Sequence, residues 1–140
     1  MKIAKSLIAA LVLLAGAAFA HQSIEVGSHR VIAGYLVNPA YTGQLNGLDL
    51  MVRDAEGELV PNLEQALTVV LIAPGGAELE LTVREGSEPG RYTADFIPTV
   101  AGNYMFRISG FIGDVEFEEL FDHVAHSEPP VMDAADISLP

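Results

Sequence analysis

From His29 onward, short apolar stretches are interleaved with polar residues at a period of two, the spacing of a pleated strand with one face buried. Seven segments carry this pattern or a β-branched and aromatic composition: HRVIAGYLV (29–37), LDLMVRD (48–54), LTVVLIA (67–73), AELELTV (77–83), GRYTADF (90–96), GNYMFRI (102–108) and VEFEELF (115–121). Each is predicted to be a strand. Turn-forming clusters separate many of them, at Asp54-Ala55-Glu56-Gly57, Pro74-Gly75-Gly76, Glu88-Pro89-Gly90, Ala101-Gly102-Asn103 and Gly113-Asp114. About seven short strands at this spacing predict an all-β, immunoglobulin-like antiparallel β-sandwich. PNLEQAL (61–67) supplies at most a turn or two of helix.

A local similarity supports that arrangement. Gly90-Arg91-Tyr92 and Gly102-Asn103-Tyr104 both open an alternating stretch, which reads as consecutive strands. Tyr104 follows the corner from Pro98 to Gly102 and is expected to turn its hydroxyl back onto it, as a tyrosine does at the start of the sixth strand of immunoglobulin-like domains. The loop VNPAYTGQLNG (37–47) is longer than a hairpin needs. It holds Asn38, Tyr41, Gln44 and Asn46, which could contact a partner or a metal, although Asn-Pro and Asn-Gly are also turn formers.

Ahead of the strands, Lys2 and Lys5 precede an apolar run from Leu7 to Phe19, and Ala18-Phe19-Ala20 has the small residues of a signal-peptidase site. The run is too short to span roughly 30 Å of hydrocarbon as a helix. Residues 1–20 are therefore expected to be a cleaved signal peptide, and residues 21–140 one domain with an irregular tail from about residue 127. The expected location is the periplasm or the exterior, with no membrane association after cleavage.

Subtracting the leader changes the charge. Residues 21–140 keep five arginines against 19 acidic residues, a formal charge of −14. That balance excludes nucleic acid and anionic lipid as partners and favours cations. There is no cysteine, so an exported chain of this length must be stable without disulfides.

Motifs for common chemistries are missing: no G-x-S-x-G, phosphate loop, H-E-x-x-H or thiol occurs. Four histidines remain. Cleavage after Ala20 would place His21 at the terminus, where its α-amine and imidazole Nδ1 can close a six-membered chelate ring on one metal ion. Copper(II) suits such nitrogen donors and heads the divalent affinity order. Asp122, His123 and His126 in FDHVAHSEPP are the remaining candidate ligands. On an extended strand, residues three apart point to opposite faces about 10 Å apart, so His123 and His126 can share an ion only if the chain turns after Asp122. The two ends of the domain are expected to meet only if HQSIEV pairs beside the strand ending near Asp122. His29 opens a strand and could point either way.

The stretches NPAYTGQLNGLDL and PGRYTADFIPTVAGNYMFRISG, with the histidine after the leader, give the chain a resemblance to small exported immunoglobulin-like bacterial proteins of the YtkA-like and CopC-like kind. The resemblance covers about Arg30 to Phe117 and implies copper handling. CopC-like proteins use a histidine at the mature N-terminus, which His21 matches, and pair it with Asp-x-His near the C-terminus. Here Asp122 and His123 are adjacent, which departs from that pattern, and no methionine-rich Cu(I) loop is visible. The resulting expectation is a non-enzymatic, exported copper-binding protein for storage or delivery. Its rivals are an interaction module that docks an envelope protein without metal, and a histidine-brace oxidase, against which the lack of tryptophan counts.

Overall fold

Alternation along the strands is matched by burial. Val31, Ala33 and Tyr35, then Leu48, Leu50 and Val52, then Tyr92, Ala94 and Phe96 face inward from three neighbouring strands. The computed structural model describes residues 21–126 and 128–140, and the expected leader, residues 1–20, lies outside the described residues.

The strands are β1 (Gln22–Val26), β2 (His29–Tyr35), β3 (Asn46–Arg53), β4 (Leu67–Ile72), β5 (Glu78–Leu81), β6 (Arg84–Glu85), β7 (Arg91–Phe96), β8 (Met105–Ile112) and β9 (Val115–Phe121). They form two sheets, β1-β2-β3-β7-β6 and β5-β4-β8-β9, with antiparallel pairing throughout. Val69, Leu71, Phe106, Ile108, Phe117 and Phe121 from the second sheet meet the inward residues of the first, completing an immunoglobulin-like sandwich.

All seven expected strands are present, and two more join them. β1 is polar and buries only Val26, so its sequence lacks the apolar alternation that marks the others. It exists because Gly27, at φ 59°, makes a two-residue hairpin onto β2. β6 is two residues long, with too little sequence to carry a pattern.

The corner before β8 is closed by Tyr104, as its position predicts. The Thr99 and Val100 amides both donate to its hydroxyl at 3.2 Å. The Tyr35 hydroxyl donates to the Tyr104 carbonyl at 2.8 Å, which ties the two sheets together. In loop 37–47, Asn46 is buried and bonds both the amide and the carbonyl of Val37, so it closes the loop instead of facing a ligand.

The two ends meet, but not by the expected pairing. β1 bonds to β2, and β9 bonds to β8. As edge strands of opposite sheets, β1 and β9 touch across the open side of the sandwich. There the Asp122 amide donates to Gln22 Oε1 at 2.8 Å. Beyond residue 127 no strand forms, yet the tail is anchored. Val131 exchanges backbone bonds with Gly102 and is 1 % exposed, and the Met132 amide donates to the Ala40 carbonyl at 2.9 Å.

Candidate functional site

His21 comes just before β1, level with Gly34 in the β1–β2 register. Gly34 pairs with Asp49 on β3, and both lie on the face of the sheet away from the core. Their place is fixed by alternation, because the neighbours Ala33, Leu48 and Leu50 point inward and are fully buried. The His21 ring lies over Gly34 so closely that a Cβ there would run into it. This lets the imidazole cross β2 and reach Asp49, where Nε2 lies 2.9 Å from Oδ2.

Asp49 is gripped from the other side as well. Arg91, one diagonal step away on β7, donates from Nε to Oδ1 at 2.9 Å and from Nη2 to Oδ2 at 2.7 Å. Burial alone would raise the Asp49 carboxyl. The hydrogen bonds from His21 and Arg91, with the charges behind them, outweigh it and hold the pKa at about 2. Beside this group a shallow depression of about 310 Å³ is lined by Leu36, Arg91, Thr93 and the 86–88 turn.

The other three expected ligands go elsewhere. Asp122 uses Oδ1 to accept from Asn103 Nδ2 at 2.9 Å and from the Ala125 amide at 3.2 Å, so it starts the short 3-10 turn Val124–His126. The Asn103 bond also holds its carboxyl below the usual range. His126 ends that turn, exposed.

His123 enters the core. Its ring packs on Tyr35 at 4.7 Å between centroids and edge-on to Phe106 at 5.6 Å, with Nε2 3.3 Å from the Ala33 carbonyl. Burial is the main reason its pKa is depressed. Its Nδ1 has no partner among the described residues. The sheet backbone thus lies between His123 on the inner face and His21 on the outer. Among the described residues no three His, Asp or Glu side chains stand together as a ligand set for a metal ion.

Three residues at this end of the molecule were not singled out from sequence. Asp49 is a lone acid between leucines, and in a one-sided strand the outward position reads as solvated. Its burial depends on Arg91 and His21, which come from 42 residues after it and 28 before it. Gly34 gives no sign of what crosses it. Glu128, in the tail, is 9 % exposed, and neither carboxylate oxygen has a partner among the described residues. Its amide donates to the His123 carbonyl at 3.1 Å.

The architecture has counterparts among solved structures. A DUF4426 family protein from Pseudomonas aeruginosa is similar with a TM-score of 0.57 at 15 % identity, over 74 % of this chain and 92 % of that one. The Lin-41 filamin domain matches with a TM-score of 0.46 at 19 % identity, over 64 % of this chain and 89 % of that one. At such identities the first of these is a likeness of fold. No protein-family model matches the sequence, and no curated protein matches it either.

Proposed function

We propose that the mature domain begins at His21 in the periplasm or outside the cell and is a non-enzymatic carrier that captures one copper(II) ion at that terminus, for storage or delivery. The observation that carries this reading is the 2.9 Å contact between His21 Nε2 and the buried Asp49 carboxylate. Metal-bound histidines commonly give their second ring nitrogen to a carboxylate, which fixes the tautomer and the ring. With Nε2 committed to Asp49, Nδ1 is left for the metal, and it is the nitrogen that forms a six-membered chelate with the α-amine. The donors are two nitrogens, a set that suits copper(II). The acidic surface favours cation approach.

The test compares protein starting at His21 with protein carrying one extra residue before it. The first should take up one copper(II) with a nitrogen-rich electron paramagnetic resonance spectrum. The second, whose amine at residue 21 has become an amide, should bind far more weakly. Equal binding by both would assign the metal to the diffuse acidic surface and end this reading.

A metal-free docking role is the second reading. It is favoured by the exposed Leu36, Val37, Leu45 and Ile97 around the ends of β2, β3 and β7.

A further inference from the structure

We propose that Glu128 is the docking carboxylate for the α-ammonium group that cleavage before His21 creates, so that processing fastens the new terminus to the segment following β9. The proposal rests on the same start at His21 as the reading above, and not on copper.

A buried carboxylate without a partner is costly, and folded chains normally supply a cation or a hydrogen-bond donor. Glu128 has neither among the described residues. The arginines are spoken for. Arg30 is on Glu25, Arg53 on the Gly57 carbonyl, Arg84 on Asp95, Arg91 on Asp49 and Arg107 on Glu78. Both lysines of the chain fall in the expected leader.

Contacts bring the two segments together. Gln22, the residue after His21, receives the Asp122 amide at 2.8 Å, and Glu128 is bonded through its own amide to His123, the residue after Asp122. His123 in turn meets the carbonyl of Ala33, next to the Gly34 that carries the His21 ring. Burial raises the Glu128 carboxyl, and the His21 imidazole pulls it slightly the other way.

Before cleavage the nitrogen of residue 21 is a neutral amide. Hydrolysis of the Ala20–His21 peptide by a signal peptidase adds water across the bond. The carboxylate leaves with Ala20, and the freed amine, with an ordinary pKa of about 7.7–8.0, takes up a proton at neutral pH. A positive charge then appears on the segment that meets the one carrying a buried carboxylate with no partner among the described residues. Copper(II) takes the amine in its deprotonated form, so this pair belongs to the metal-free protein.

The experiment is a double-mutant cycle in thermal stability, with a chelator present throughout. It crosses a single alanine added before His21 with Glu128→Gln. The extension should lower Tm by roughly 3–8 °C in the parent and by much less in the Glu128→Gln background. An equal drop in both overturns the proposal. Should Glu128→Gln fail to fold, the rate of α-amine acylation in the unaltered mature protein decides instead. It should be slower than in the free peptide HQSIEV by about tenfold or more, the factor expected of an amine held in a contact, and equal rates overturn the proposal. Because metal is absent, failure to bind copper leaves these outcomes untouched, and absent coupling in a copper-binding protein removes the ion pair alone.

Discussion

Arg91 holds Asp49 with two parallel hydrogen bonds, of 2.9 and 2.7 Å, on the face of the sheet turned away from the core. An exposed ion pair contributes little, but the Asp49 side chain is only 7 % exposed.

This pairing predicts acid sensitivity. The folded carboxyl stays ionised down to about pH 2, whereas in the unfolded chain it protonates near 3.9. Its folded pKa is depressed, so the stabilisation is complete above about pH 4 and is lost as the pH falls through 2. A shift of this size corresponds to roughly 2 kcal/mol. Urea unfolding of the parent and of Asp49→Asn should show their stability difference shrinking by about that amount between pH 5 and pH 2. A difference independent of pH would mean that Asp49 is not held ionised by its partners.

Gly34 separates folding from the site. A Cβ at residue 34 collides first with the His21 ring, which is the movable end of a side chain. Gly34→Ala should therefore keep the fold while displacing the imidazole from Asp49, at a cost limited to that one hydrogen bond, about 1–2 kcal/mol. Copper affinity should fall by about 10–100-fold, the usual effect of losing a carboxylate that orients a ligating histidine. Asp49→Asn should weaken it in the same direction, and calorimetric titration measures both. Unchanged affinity in the two variants would show that the orientation of His21 does not matter to the metal.

Tyr104 is predicted to hold the corner by its hydroxyl and the core by its ring. Tyr104→Phe leaves the Thr99 and Val100 amides without their acceptor and should cost about 1–3 kcal/mol. Tyr104→Ala also removes a buried aromatic and should cost about 3–5 kcal/mol. Denaturant titration distinguishes them, and a Phe variant as stable as the parent would limit the role of Tyr104 to packing.

His123 gives a second pH dependence, nearer neutrality. Burial depresses its folded pKa below the ordinary value of 6.5, so below that pH the unfolded chain binds the extra proton first. Stability is complete above about pH 6.5 and declines as the pH falls toward the lowered pKa. His123→Phe keeps an aromatic ring between Tyr35 and Phe106 and should flatten the stability profile between pH 7 and pH 5, measured as Tm against pH. A profile as steep as the parent's would place the titration in another group.

Most of the fold was legible because burial on one face of a strand writes itself into sequence as alternation, and the turns between strands need Gly, Pro, Asn or Asp. Tyr104 was legible for the same local reason, since its hydroxyl reaches amides only four and five residues away. β1 was not, because an edge strand needs no apolar pattern.

The candidate site was far less legible. His21 stood out by its place after Ala18-Phe19-Ala20, but Asp122, His123 and His126 look alike on paper as donors in one short segment. Folding sends them to a turn cap, the core and the surface respectively. By itself, then, the sequence determined seven of the strands and the all-β class, which follow from neighbours within a few residues. Tertiary structure alone decided that Asp49 and Arg91 back His21 and that Glu128 is buried with no partner for its carboxylate among the described residues. Those facts depend on which strands become neighbours and which side chains lose water, and residues far apart in the chain set both.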